Sequence, residues 1–224
     1  LNKLGIKKKL IALHDYNEHK IIDQIKLLLK NKKCVLVSDA GSPLISDPGY
    51  NLVQYCITNN IKVTSVPGPS SIVSGLQLSG LPMSEFVFFG FVPKSKKKIG
   101  DLVKNISEEK RTCVFFVSNH KLIVFLDCLE NIIGDRSISI CKELTKVNEF
   151  VFRGNPGSVK NKILEDKENI KGEFVAVIDR QASKNQDFDN IDLYSKELRK
   201  MASKFSLTDI VEIVHKFTKI NKNK

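Results

Sequence analysis

Short apolar runs alternate with helix-length amphipathic patterns along almost the whole chain. "CVLVSD" (34–39) carries two valines and ends in turn residues, which predicts a buried strand. "IKVTSV" (61–66) and "FVFFGF" (86–91) predict a second and a third. Between them, "EHKIIDQIKLLLK" from Glu18 and "IVSGLQLSG" after Ser71 have helical spacing. The second half continues with a helix near 96–106, the strand "CVFFVS" (113–118) and a helix over about 121–131. Strands follow at 137–144 and 148–154, then a helix over 156–166 and the strand "EFVAVID" (173–179). Such alternation predicts an α/β fold with largely parallel sheets. The strands flanking Thr145 are close enough to pair antiparallel, so the second half is expected to be mixed.

The pattern breaks at 91–98, where a strand gives way to Pro93 and four lysines among five residues. The reading is an α/β lobe over 1–91, a mixed α/β lobe over 92–180, and a polar linker with a helical tail over 181–224. In the tail a helix is expected from about 193, and "SLTDIVEIVHKF" begins like a capped helix at Ser206 or Thr208.

Composition narrows the class. Apolar residues make up 42% of the 224, with no run of membrane-spanning length and no signal-peptide pattern at the start. Cys34, Cys56, Cys113, Cys128 and Cys141 show no C-x-x-C spacing, which fits free thiols in a reducing cytoplasm and no metal site. His14 and His19 are five apart, not the four that would place both on one helical face. Lys and Arg outnumber Asp and Glu 36 to 25, a formal charge of +11 that suits a polyanionic partner.

Candidate chemistry sits in two loops. "VSDAGSPLISDPGYNLV" (37–53) packs Gly, Pro, Ser and Asp behind a strand, yet lacks both G-x-G-x-x-G and the P-loop pattern. Loops at the carboxyl ends of strands are where open α/β sheets bind ligands. Asp39 can accept from a hydroxyl or ammonium group or cap a helix, and Gly41 lets backbone approach a flat ligand. "VPGPSSIVSG" (66–75) has the same position, with Ser70 and Ser71 able to cap the next helix or face the same crevice.

These loops, together with "FVFFGFVPKSKKK", "FFVSNHK", "CKELTKVNEFVFRGN" and "GEFVAVID", occur in the order seen in the ribosomal RNA small subunit methyltransferase I family. That family lies within the tetrapyrrole-methylase superfamily, and the resemblance runs from about Leu4 to Arg180. It implies two α/β lobes with S-adenosylmethionine in the cleft between them, usually as a homodimer. It also implies methylation of a cytidine 2′-hydroxyl in 16S ribosomal RNA of the small subunit. Members begin with a strand, a Gly-Pro loop and an acidic segment ahead of "LGIKKKLIALHDYNE", so the resemblance implies a chain truncated at its first strand.

Carried over by position, Asp39, Ala40, Gly41 and Ile45 match the first cofactor segment and Ser70 and Ser71 the second. Leu144, Ala176 and Val177 match positions that close over the adenine. Lys94, Lys96, Lys97, Lys98, Lys121 and Lys142 match the RNA path. Where the family has Tyr-Glu and a later Arg, this chain has Phe116-Val117 and Lys121, which keeps the charge but not the planar fork. A ribose hydroxyl needs help to become a nucleophile, and among Glu143, Asp39 and His120 the choice falls on Glu143. A tetrapyrrole methyltransferase of the same fold and a non-enzymatic RNA-binding protein are the alternatives.

Overall fold

The computed structural model describes residues 5–14, 16–181, 200 and 204–218. They fall into two units, residues 1–181 and residues 182–224. In the first unit come helices α1 (Glu18–Leu29), α2 (Tyr50–Thr58) and α3 (Ser71–Ser79), then strand β1 (Phe86–Phe91). There follow α4 (Lys96–Ser107), β2 (Thr112–Ser118), α5 (Asn119–Ile133), β3 (Ile138–Lys142) and β4 (Phe150–Gly154). Helix α6 (Pro156–Leu164), a 3-10 turn (Lys167–Ile170) and β5 (Glu173–Ile178) complete it. The second unit holds α7 (Leu207–Thr218). Ser206 caps α7 reciprocally: its hydroxyl accepts from the Asp209 amide at 3.2 Å and donates to the Asp209 carboxylate at 2.6 Å. The helix expected from about 193 falls, apart from Lys200, outside the described residues.

One five-stranded sheet, in the order β1-β2-β5-β3-β4, organises the first unit. Only β1 and β2 pair in parallel; β5 runs antiparallel to both β2 and β3, and β4 antiparallel to β3. The largely parallel expectation therefore fails, while the antiparallel pair flanking Thr145 forms as read. The strand Phe86–Phe91, assigned from sequence to the first lobe, lies in the sheet built by the later strands.

Strand alternation divides the core in two. Cys113, Phe115, Val117, Ile138, Ile140, Phe174, Ala176 and Ile178 meet Ile99, Val103, Phe125, Leu126, Val159 and Ile163, from α4, α5 and α6. On the opposite face, Val114, Cys141, Val175 and Val177 meet Ile72 and Leu76 of α3. Phe115 and Phe125 are fully buried and cross edge to face with centroids 5.6 Å apart. Full burial of a side chain of this size stabilises by roughly 1.5–3 kcal/mol.

The runs 34–39 and 61–66 are not strands here. Neither joins a ladder among the described residues, and Val35 and Val66 are 83% and 87% exposed. A β-rich run becomes a strand only where a neighbour takes its hydrogen bonds and covers a face. In this region the organising contact is between helices. Glu18 of α1 is buried and accepts from the Asn51 and Leu52 amides at 2.9 and 3.2 Å and from Asn51 Nδ2 at 2.8 Å. A carboxylate from another helix thus satisfies the first turn of α2, whose own N-cap, Gly49, has no side chain to do so.

Candidate functional site

Register fixes which ends meet. Parallel pairing brings the carboxyl ends of β1 and β2 together, and the Val92 amide bonds Phe116 O at 2.9 Å just beyond β1. Because β5 opposes both β2 and β3, the carboxyl end of β3 lies at the same edge; Ser118 pairs with Glu173, and Lys142 with Phe174. Helix α3 crosses with its C-terminus at the far end. The Ser139 hydroxyl donates to Ser79 O at 2.9 Å, Arg153 donates to Leu78 O, and the Cys141 thiol reaches Gly75 O at 3.8 Å. The α3 N-terminus, with Ser70 and Ser71, therefore points toward the edge where β1, β2 and β3 end.

Gly75 permits this seat. A Cβ there would come within 2.9 Å of Val175 Cγ1, closer than real side chains approach. At the other end of α3, Ser70 accepts from the Val73 amide at 3.5 Å and its carbonyl takes the Ser74 amide. The Ser71 and Ile72 amides meet no acceptor among the described residues, so two donors of the first turn remain for a ligand. Leu144 packs in the same apolar cluster as Ile72.

The first loop is tied to the second. Ser42 Oγ donates to Pro69 O at 3.3 Å, and Ser38 Oγ pins the turn by bonding Ala40 O and Gly41 O at 3.1 and 2.8 Å. Asp39, Ala40, Gly41 and Ile45 are exposed; Gly41 has φ of 72°, with open space where a Cβ would stand. Leu44 and Ser46 also take positive φ, 73° and 65°, a strained backbone of the kind that concentrates at ligand sites. Open backbone at Gly41 and unused amides at Ser71 and Ile72 fit a small ligand carrying both a flat ring and a carboxylate, as S-adenosylmethionine does.

Other candidates land elsewhere. Ala176 is fully buried on the α4–α5–α6 face, away from α3, and Val177 is fully buried beneath α3. Both pair on two sides, with β2 and with β3, so neither presents an atom to a ligand. Glu143 has φ of 49°, its amide bonds Glu173 O, and its carboxylate accepts from the Glu173 amide at 2.8 Å and Lys146 Nζ at 3.0 Å. The Glu173 amide first, and the Lys146 ammonium second, hold its carboxyl below the usual carboxylate range. A proton acceptor gains from the opposite shift, so Glu143 fits a strand-end clasp and not the expected base. His120 gives its amide to Asn119 Oδ1 at 2.8 Å and lies exposed at the start of α5.

The lysines divide. Lys94, Lys96, Lys97 and Lys98 are exposed around the first turn of α4, which Ser95 caps, and Lys121 is half-buried in the first turn of α5. All stand at the carboxyl ends of β1 and β2. Lys142 does not: it is 7% exposed, and its ammonium donates to Glu168 O at 2.6 Å at the 3-10 turn. Alternation after Ile138 and Ile140 turns it inward, to the face covered by α4, α5 and α6, and not to the surface where an RNA-contacting lysine is expected. Val117, where the resemblance expects Glu, is buried in the larger core cluster.

Sequence reading missed Gly75, Ser139, Arg153, and the tie from Ser42 to Pro69. Arg153 lies 75 residues beyond its acceptor, a pairing no local pattern announces. Gly90 did carry a signal, a glycine inside a strand run; with φ of 75° it marks the register shift between Phe88 and Phe91.

Comparison with known proteins agrees with this architecture. The family model for tetrapyrrole (corrin/porphyrin) methylases matches residues 6–160. A ribosomal RNA small subunit methyltransferase I of Thermotoga maritima is 46% identical over 155 residues, covering 69% of each chain. Its counterpart from Buchnera aphidicola subsp. Schizaphis graminum is 36% identical over 229 residues, covering all of this chain and 79% of that one. A solved diphthine synthase superposes with a TM-score of 0.58 at 17% identity, over 77% of this chain and 70% of that one, a likeness of fold. The chain belongs to the tetrapyrrole methylases and, among them, to the ribosomal RNA small subunit methyltransferase I family.

Proposed function

We propose that this protein transfers a methyl group from S-adenosylmethionine to the 2′-hydroxyl of a cytidine in 16S ribosomal RNA. The observation that carries the reading is the convergence at one sheet edge. The start of α3 faces the edge where β1, β2 and β3 end, Leu144 follows β3, and Lys94, Lys96, Lys97, Lys98 and Lys121 follow β1 and β2, which supports the reading. Family membership supplies the reaction class.

S-adenosylmethionine, when bound, supplies an electrophilic methyl on its sulfonium sulfur. The chain's task is then alignment, since in-line displacement gains most from holding donor and acceptor in register. Ser70, Ser71 and the free amides beside them would hold the carboxylate. Ala40, Gly41 and Ile45 would line the flat ring, Asp39 would take a hydroxyl or ammonium donor, and Leu144 would close the apolar side. The five lysines would neutralise phosphates of the incoming strand. Homodimer formation, cytoplasmic location and a two-lobed division over 1–91 and 92–180 belong to the same reading.

Nucleoside mass spectrometry on 16S ribosomal RNA from a strain lacking this gene tests the substrate. A 2′-O-methylcytidine peak lost in that strain and restored by the gene is expected; an unchanged peak refutes the assignment. Calorimetric titration with millimolar S-adenosylmethionine tests the cofactor, and absence of heat refutes it.

A further inference from the structure

Phe91 is 60% exposed at the carboxyl end of an edge strand. Exposure of one phenylalanine carries no meaning alone. Its setting does. The bulge at Gly90 lets Phe91 pair with Phe116 while Phe88 pairs with Val114, which places Phe88 and Phe91 on the α3 side. Phe116 meets both rings at steep angles, with centroids 4.9 Å from Phe88 and 5.2 Å from Phe91. Phe91 is thus propped from beneath with its outward side open.

The chain then leads directly to charge. Val92 is buried and its amide is held by Phe116 O, so the segment leaving Phe91 is anchored. Lys94 follows three residues after Phe91, within about 10 Å of extended chain. Lys96, Lys97 and Lys98 occupy the first turn of α4, the end where the helix dipole disfavours cations, and no ion pair among the described residues involves them. An anionic partner relieves that placement. A second copy meeting this patch by two-fold symmetry would bring the same cations face to face, which disfavours self-association here.

We propose that Phe91, propped by Phe116 on the α3 face, is a stacking platform for an unpaired base of RNA whose backbone passes Lys94 and rounds the β1 edge to Lys96–Lys98, at the start of α4 on the opposite face. An aromatic ring followed by a basic track is the chemistry that holds single-stranded nucleic acid, because every base offers a π-face and every phosphate a charge. The platform rests on the RNA reading above and adds that the substrate strand is unpaired where it enters the site.

The test is fluorescence anisotropy with a short labelled single-stranded RNA and with the same strand annealed to its complement, using the full chain. Phe91→Ala and Phe91→Leu are expected to weaken single-strand binding about 5- to 150-fold, the loss of one stacked base, while Phe91→Trp retains it. The salt slope of Phe91→Ala stays at the wild-type value; replacing Lys96, Lys97 and Lys98 with Gln lowers it by about 2. Wild-type affinity in Phe91→Ala or Phe91→Leu overturns the platform alone, as does equal binding of the duplex. A change of sedimenting mass in Phe91→Ala also overturns it, because Phe91 then serves contact between copies. Failure of the wild type to bind either RNA, with S-adenosylmethionine binding intact, overturns the RNA reading together with the platform.

Discussion

Replacing Gly75 with alanine puts one methyl group where α3 meets the central strand. The new Cβ would stand 2.9 Å from Val175 Cγ1 and 3.4 Å from Val175 Cβ, against an optimum of about 3.5–4.0 Å between carbons. Val175 is β-branched and paired on both sides, with β2 and with β3, so it cannot swing away. The helix must lift instead. Lifting strains the bond from Ser139 to Ser79 O, and a buried hydroxyl left without its acceptor costs about 1–3 kcal/mol. Overpacking adds about 1–3 kcal/mol, and the helix preference of Ala over Gly returns about 1. Gly75→Ala is therefore expected to lose about 1–5 kcal/mol, seen as a lower urea midpoint and a Tm lower by about 2–4 °C for each kcal/mol. Because the lifted helix carries Ser70 and Ser71, affinity for S-adenosylmethionine should fall as well. Gly100→Ala is the control: it lies within α4 with nothing within 4 Å of its Cβ, and should gain about 1 kcal/mol. If Gly75→Ala stabilises as Gly100→Ala does, the close seat of α3 is refuted.

Glu18→Ala removes the acceptor of two α2 amides and should cost about 1–3 kcal/mol, read as faster hydrogen exchange in 50–58; unchanged protection there refutes the capping role. Lys142→Met should leave the salt dependence of RNA binding unchanged, whereas Lys97→Gln should reduce the slope by about 0.7, so an equal drop in both would return Lys142 to the RNA path. Glu143, with a carboxyl held below its ordinary value, contributes stability that is present above the unfolded pKa and lost as pH falls through the folded one. Wild type should therefore exceed Glu143→Gln in stability at pH 7, with the gap closing in acid; a constant gap from pH 7 to about pH 3 contradicts the ionic clasp.

The later strands were legible because their apolar runs coincide with real neighbours. Ile138 and Ile140 fill one core cluster and Cys141 the other, as a strand covered on both faces requires. The runs at 34–39 and 61–66 are likewise rich in apolar and β-branched residues yet join no ladder among the described residues, so composition could not separate the two cases. Glu143 looked catalytic from its type and its lysine neighbours. Its left-handed backbone, and the crowding by which a Cβ on Gly172 would strike its side chain at 2.7 Å, arise only once β3 and β5 are paired. Lys142 is different. Its inward turn follows from counting two residues on from Ile140, a signal present in the sequence and outweighed by the charge of the segment.

The mixed sheet explains why chemistry collects at one edge. Inserting β5 antiparallel between β2 and β3 leaves β1, β2 and β3 running the same way, so three strands end together although only one pair is parallel. Each end then delivers a different group: β1 leads to the lysines of α4, β2 to Lys121, and β3 to Leu144. Helix α3 completes the arrangement through its asymmetry. Its last carbonyls are held by Ser139 and Arg153, which fixes it in place, while the Ser71 and Ile72 amides at the other end have no acceptor among the described residues. A helix serving only to cover the sheet would gain by having both ends satisfied. Fastening one end and leaving the other open agrees with the ligand role proposed for Ser70 and Ser71. It also makes Gly75, where α3 lies against Val175, one of the residues on which the position of that open end depends.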